Sequence, residues 1–170
     1  MGSATAETVA FFSQFRCKLF FAGLVSSPIP ESSEEKSDSE LVAEFSGLLD
    51  FPPGTQFDIC LFWDFFSLLD NRSMQAFSTA LKPFVGKPTV AHGFGVLNSK
   101  TAIEFCDYCV KDFSTILVKA ASRLPKKLYH HPRRDFESLL AGFAVEKGTL
   151  LQQGKLEVLL EYSERTWNNS

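Results

Sequence analysis

The sequence predicts an α/β domain of three layers, in which helices cover both faces of a mostly parallel sheet that ends in an antiparallel hairpin. Residues 57–98 read as a buried strand, an amphipathic helix and a second strand, which is the order of a parallel crossover. Predicted helices and strands also alternate before this stretch, and two apolar runs separated by Gln-Gln-Gly close the chain. Sheets of this kind bind ligands beyond the carboxyl ends of their parallel strands.

Length and composition predict one domain that spans residues 1–170. Of the 170 residues, 45% are hydrophobic and 14% aromatic, which is enough for a sizeable core. Eighteen Phe residues predict a core filled largely by aromatic rings. The net charge of −3 excludes a protein whose whole surface is built to attract nucleic acid.

The sequence also indicates an intracellular protein, most simply a cytoplasmic one. No apolar stretch reaches the roughly 18–20 residues that a membrane helix needs, and the first residues lack the pattern of a signal peptide. The four cysteines, at positions 17, 60, 106 and 109, fall mostly inside apolar runs, as expected for reduced core thiols. We therefore expect no membrane contact, no disulfide and no metal site.

The first third of the chain predicts helix, strand, loop and helix. Apolar residues at helical spacing predict a helix over 4–15, and the run CKLFFAGL predicts a buried strand over 17–24. Residues 25–40 are rich in Ser, Pro and acidic side chains, so we expect a mobile surface loop there. A short helix over 41–49 follows, and Pro-Pro-Gly ends it.

The middle third contains the clearest elements. After a strand over 57–63, Asp70 or Asn71 is predicted to cap a helix whose apolar stripe includes Met74, Phe77 and Leu81. A strand over 89–97 comes next. Apolar residues at helical spacing then predict a helix over 101–113, and residues 114–121 either extend it or form a strand.

The last third begins with a basic connection, RLPKKLYHHPRR, at residues 123–134. Asp135 follows and is predicted to cap a helix that carries Phe136 and Leu139 on its buried side. Two apolar runs, 143–151 and 155–162, come after this helix and are separated by a turn containing Gly154. They predict a hairpin.

This order resembles the class I S-adenosylmethionine-dependent methyltransferase fold. The closing hairpin carries the resemblance, because ordinary doubly wound nucleotide-binding domains finish on a parallel strand. The stretch FPPGTQFDICLFWDFFSLLDNRSMQAFSTALKPFV resembles the family's fourth strand, the residues at its end and the following helix. The resemblance covers nearly the whole chain and implies that the family's cofactor, S-adenosylmethionine, would lie at the strand ends.

The resemblance also implies which residues would contact that cofactor. Gly2 and Ala4 resemble the tail of the family's glycine-rich turn, while the strand before that turn and its acidic residue are missing. Gly23 stands where the family commonly has an acidic ribose acceptor. The positions that would still face the cofactor are Phe62, Trp63 and Asp64 at a strand end, and Glu44 as an adenine-amine acceptor. Both alternatives stay open: the chain binds S-adenosylmethionine, or it binds no cofactor.

Two further groups of residues have alternative interpretations. Cys106 and Cys109 have the spacing of half a zinc site, but no second pair completes it, so helix packing is favoured. The basic connection is either a solvated loop or a site for phosphate, nucleic acid or an acidic protein. Its candidate contacts are Lys126, Lys127, Arg133 and Arg134.

The eroded cofactor residues predict a non-catalytic methyltransferase-like protein that acts as a binding or structural subunit of a larger assembly. We expect its partner to be another protein or a second copy of the chain. The alternative is an active methyltransferase whose first strand lies outside these residues. No catalytic residue can be assigned from the sequence.

Overall fold

The computed structural model describes residues 4–24, 35–121 and 127–164. Its helices are α1 (Ala6–Phe12), α2 (Asp38–Leu48), α3 (Asn71–Leu81) and α4 (Arg133–Leu139). Its strands are β1 (Ile59–Trp63), β2 (Val90–Val96), β3 (Cys106–Asp112), β4 (Thr115–Ala120), β5 (Phe143–Leu150) and β6 (Lys155–Tyr162). Short 3₁₀ turns follow β1, α3 and β5.

The fold is mixed α/β, with one four-stranded mixed sheet and a small antiparallel ribbon. The main sheet has the order β1-β2-β6-β5, and the ribbon consists of β3 and β4. Strands β1 and β2 are parallel, whereas β6 runs antiparallel to both β2 and β5. The predicted C-terminal hairpin is confirmed. The expectation of a mostly parallel sheet is not confirmed, because one pair of strands is parallel among the described residues.

The prediction of a buried strand over 17–24 is wrong, because these residues form no strand and most of them are exposed. Ala22 and Leu24 are buried in the core. The ring of Phe20 contacts those of Phe51 and Phe57, at centroid distances of 5.3 and 5.8 Å. The run therefore contributes two buried side chains and the contacts of one aromatic ring to the core, and the six residues other than Ala22 and Leu24 are exposed.

The predicted helix over 101–113 is wrong, because this region contains β3 and leads into β4. The strand alternative for residues 114–121 is confirmed. The turn between the strands is closed at Asp112, whose Oδ1 accepts a hydrogen bond from the Ser114 N–H at 2.9 Å. Helical spacing misled here because Tyr108 and Val110 both pack inward on one ribbon face, and such tertiary contacts override local propensity.

The other helices form where the sequence predicts them, with shifted ends. Ser37 and Glu40 form a capping box, so α2 begins inside the predicted loop 25–40. Residues 25–34 of that loop lie outside the described residues. Asp70 caps α3 by accepting from the Ser73 N–H at 2.7 Å. The prediction that Asp135 caps α4 is wrong, because Pro132 occupies the cap position and Asp135 lies in the first turn.

Aromatic rings fill the core, as the composition predicts. Phe62 is fully buried between β1 and α3, and its ring lies 4.8 Å from Phe66 and 5.7 Å from Phe77. Phe136 on α4 reaches the same cluster through Phe66. Among the described residues, no helix has the length and apolar character needed to cross a bilayer.

Gly95 on β2 gives a test of this packing. A Cβ atom there would lie 2.5 Å from both the backbone oxygen of His131 and the ring of Phe136. We expect Gly95→Ala to lower the free energy of unfolding by about 3 kcal/mol, because the backbone oxygen cannot move aside.

Gly47→Ala is the matched control, since Gly47 lies in α2 with no atom within 4 Å of the added Cβ. Here alanine favours the helix, and we expect a gain of about 0.5–1 kcal/mol. Both values can be measured by urea denaturation. A Gly95→Ala protein as stable as the parent would contradict the described approach of β2 to α4.

Candidate functional site

The carboxyl end of β1 is where the sequence places its main candidate site. Here β1 leaves its regular pairing with β2, and Trp63 has a positive φ of 53°. This left-handed conformation turns the chain sharply, so that Phe62, Trp63 and Asp64 point to different surroundings. Phe62 lies wholly in the core, where it is shielded from any ligand at the strand end.

Asp64 is buried, with 3% of its surface exposed, and its carboxylate is bound by three donors. The Tyr108 hydroxyl and the Cys106 backbone N–H donate to Oδ2 at 2.7 and 3.0 Å. The Lys155 ammonium lies 2.9 Å from Oδ1 and also contacts the Tyr108 hydroxyl. A buried carboxylate is costly unless it is paired and hydrogen-bonded, and here both conditions are met.

Three aromatic rings stack beside this carboxylate. The Trp63 indole lies 5.1 Å from the Tyr108 ring with only 9° between their planes. The Phe94 ring stacks on the same tyrosine at 5.0 Å. The Lys155 ammonium lies 4.5 Å from the centre of the Phe94 ring, within range of a cation–π contact. We call Trp63, Asp64, Phe94, Tyr108 and Lys155 the strand-end cluster.

The Tyr108 hydroxyl acts as a hydrogen-bond donor that keeps its proton. Burial raises the pKa of its phenol well above the usual value, and the negative charge of Asp64 raises it further. The hydroxyl therefore stays protonated at neutral pH and donates to the carboxylate. It cannot act as a general base near neutral pH.

His92 extends the cluster on the neighbouring strand β2. Its Nε2 lies 2.9 Å from Oε1 of Glu157, and its ring meets Trp63 edge-on at 5.4 Å. Its Nδ1 is buried and has no hydrogen-bond partner among the described residues. Glu157 and Lys155 are two residues apart on β6, so both side chains lie on the same face of the sheet and reach the strand-end region from there.

The cleft beside the strand-end cluster is small. Asp64, Gly95 and Lys155 are among the residues that line it, and its volume is about 50 Å³. Pockets for drug-sized ligands and cofactors are typically about 300–1,000 Å³. A nucleoside does not fit in this cleft unless the side chains around Asp64 rearrange.

The other predicted cofactor residues are not part of the described cluster. Gly2 lies outside the described residues. Ala4 is exposed, just before α1. Glu44 on α2 forms an ion pair with Lys36 at 2.7 Å. Glu44 takes part in none of the contacts described above for the strand-end cluster.

The predicted basic contacts are divided among local partners. Lys126 lies outside the described residues, and the Lys127 ammonium lies 5.0 Å from the Tyr129 ring. Arg133 pairs with Glu137 at 3.0 Å, and Arg134 lies 3.5 Å from the Asp135 carboxylate. These acidic partners reduce the positive field that a phosphate would meet.

The cysteines are all free thiols. Cys106 and Cys109 lie three residues apart on β3, so their side chains point to opposite faces of the ribbon rather than to one helix face. Within residues 4–24, 35–121 and 127–164, no three potential metal ligands come together.

Sequence reasoning identified Trp63 and Asp64 but missed the residues that bind them. Tyr108 was placed on a helix, and Lys155 was read only as the start of a hairpin strand. The alternation of Tyr108 and Val110 was the signal that could have predicted a strand.

Comparisons with protein-family profiles, with curated proteins and with solved structures found no match.

Tyr108→Phe tests the buried hydrogen bond to Asp64. The substitution keeps the ring stacked on Trp63 and removes only the hydroxyl. We expect a loss of about 1.5–3 kcal/mol in the free energy of unfolding, because the acceptor is charged and buried.

Tyr162→Phe serves as the control, because the Tyr162 hydroxyl has no hydrogen bond to the described residues and the ring packs at the edge of the core. We expect a change within about 0.5 kcal/mol. Chemical denaturation followed by circular dichroism measures both. Equal stabilities of the two variants would argue against a structural role for the Tyr108 hydroxyl.

The burial of the thiols predicts their order of alkylation in the native protein. Cys17 is exposed, whereas Cys109 is buried. Burial also raises the pKa of the Cys60 thiol to about 12. Since the thiolate is the nucleophile, iodoacetamide at pH 8 should modify Cys17 first and reach Cys60 and Cys109 only after unfolding. Peptide mass mapping over time reads this order, and early labelling of Cys60 would contradict the described core.

Proposed function

We propose that the protein is a methyltransferase-like scaffold that has lost catalysis and acts as a binding or structural subunit of a larger assembly. The observation that carries this proposal is the state of Asp64. Its carboxylate is the polar group that a cofactor would meet at the end of β1. It is instead bound by Tyr108, Lys155 and the Cys106 N–H.

The aromatic residue of the same candidate site is also used internally. Trp63 would have to stack on adenine, yet one face of its indole already stacks on Tyr108. Freeing both Trp63 and Asp64 would require β3 to leave the strand end and would break the ion pair between buried Asp64 and half-buried Lys155. Breaking a fully buried pair costs about 3–5 kcal/mol, and the partial exposure of Lys155 lowers this cost, which a cofactor would have to supply from its own binding energy.

The sheet order is consistent with the proposed scaffold. Parallel strands β1 and β2 are followed in space by the reversed strand β6 and then by β5. This is the type of ending, a hairpin after the last helix, on which the resemblance to methyltransferases rests. We also propose that the complete scaffold has the three-layer arrangement with a mostly parallel sheet that the methyltransferase resemblance implies.

Exposed aromatic residues suggest how such a subunit would bind. Phe113, at the tip of the β3–β4 ribbon, is 86% exposed. Its ring lies 5.3 Å from Phe11 and 5.7 Å from Phe15, so three rings form one apolar surface. The basic connection is a weaker candidate for nucleic acid, because Arg133 and Arg134 have acidic neighbours.

Titration with S-adenosylmethionine tests the loss of the cofactor site. We expect no saturable heat in calorimetry and no shift of the thermal midpoint up to millimolar cofactor. A ligand present at 100 times its dissociation constant would add about 2.7 kcal/mol of stability, so binding would be seen readily.

An active S-adenosylmethionine-dependent methyltransferase serves as the positive control for the titrant. Saturable binding at micromolar concentration would overturn the proposal in favour of the active enzyme. In that case Asp64→Ala should abolish the binding, since Asp64 would then contact the cofactor.

A further inference from the structure

The two edges of the β3–β4 ribbon differ in how they are covered. On the outer edge of β3, the Cys106 N–H donates to Asp64 and the Val110 N–H donates to Thr8 Oγ1, both at 3.0 Å. Helix α1 packs against this strand. The edge of β3 is therefore closed by side chains of the same protein.

Within the part of the chain that the structure describes, the edge of β4 has no such cover. There β4 pairs with β3 alone, and all its residues are exposed or half-buried. Its single charged residue, Lys119, is paired with Glu7 at 3.0 Å. Proteins usually protect a free edge with charges, proline or a bulge, and the sequence TILVKA offers little of this.

The register shows which backbone groups of β4 face outward. Two residues directly opposite each other in an antiparallel pair either exchange both backbone hydrogen bonds, or both point their N–H and C=O groups away from the partner strand. The Val110 N–H points away from β4, toward Thr8, and Val110 lies opposite Ile116. Ile116 therefore turns its N–H and C=O toward the free edge, and Val118 does so by alternation.

The side chains of these two residues form an apolar surface. Ile116 is 40% exposed and Val118 is 60% exposed. Val118 lies opposite Tyr108, so both β4 residues share the ribbon face that carries Tyr108 and Val110. The buried face of the ribbon thus continues into exposed aliphatic side chains at the free edge.

We propose that a second copy of the chain pairs with β4, antiparallel, around a two-fold axis at Leu117. Ile116 then exchanges backbone hydrogen bonds with the partner's Val118, and Val118 does so with the partner's Ile116. Lys119 lies opposite the partner's Thr115, so no like charges meet. The two ribbons become one four-stranded sheet with a continuous aliphatic face.

Self-complementarity favours a second copy as the occupant of this edge. The same two aliphatic residues supply both halves of the contact, and their outward backbone groups match in this register. A two-fold axis requires such an isologous surface. One short strand pair buries little area, so we expect a dimer of micromolar affinity at the low end of interface size.

This inference deepens the proposed function, on whose subunit role it rests, by naming the partner. The two can fail separately. Binding of S-adenosylmethionine would overturn the loss of catalysis and leave the dimer standing. A monomeric protein would overturn the dimer and leave the loss of catalysis standing.

Sedimentation equilibrium over about a hundredfold range of concentration tests the dimer, because mass action shifts the population with dilution. We expect the parent protein to dimerise and Val118→Lys to weaken the dimer at least tenfold. Leu150→Lys is the matched control, since Leu150 is 56% exposed on β5 at the edge of the other sheet. It should leave the dimer unchanged.

A parent protein that stays monomeric throughout would overturn the proposal. So would a dimer that Leu150→Lys dissociates and Val118→Lys does not. Circular dichroism and thermal melting establish that both variants fold.

A double variant, Ile116→Cys with Val118→Cys, tests the register independently of folding effects. Opposite residues of a strand pair have Cα atoms about 5.5 Å apart, which suits a disulfide, whereas diagonal neighbours at about 7–8 Å do not. Oxidation by copper–phenanthroline and oxygen should therefore cross-link the double variant into dimers through residues 116 and 118.

Ile116→Cys alone and the parent protein, with its own thiols, are the controls and should not cross-link. Peptide mapping identifies the bond. A double variant that cross-links no faster than these controls would contradict the proposed pairing.

Discussion

The buried carboxylate of Asp64 is the constraint on which the arrangement of the molecule depends. A carboxylate that is 3% exposed requires a counter-charge and hydrogen-bond donors. Those donors come from β3, through Tyr108 and the Cys106 N–H, and from the start of β6, through Lys155. One side chain at the end of β1 therefore fixes the ribbon against the main sheet and holds the first residue of the last strand.

The position of the ribbon explains both the internal use of the strand end and the exposed surfaces. Because Tyr108 must reach Asp64, β3 lies across the strand end and its ring stacks on Trp63. Thr8 then meets the outer edge of β3, which brings α1 onto the ribbon. The same geometry leaves β4 outermost and holds Phe113 against Phe11 and Phe15 at the ribbon tip.

Local patterns predicted much of the fold, whereas contacts between distant residues did not show in the sequence. The crossover over 57–98, the aromatic core and the closing hairpin follow from periodicity and from turn residues that act within a few positions. The helix predicted over 101–113 failed because Tyr108 and Val110 gain more from distant partners than from helical packing. Trp63 and Asp64 were identified by their place at a strand end. Their partners were not, since Tyr108 and Lys155 are 44 and 91 residues away from Asp64 in the chain.

A double-mutant cycle between Asp64 and Lys155 tests most directly the claim that this carboxylate is an internal structural tie. Asp64→Asn and Lys155→Met each leave the other group without its counter-charge, and the double variant removes both charges. We predict a coupling of about 1–3 kcal/mol in the free energy of unfolding, measured by denaturation of all four proteins. Additive effects, with a coupling near zero, would show that the two groups do not depend on each other and would contradict the account.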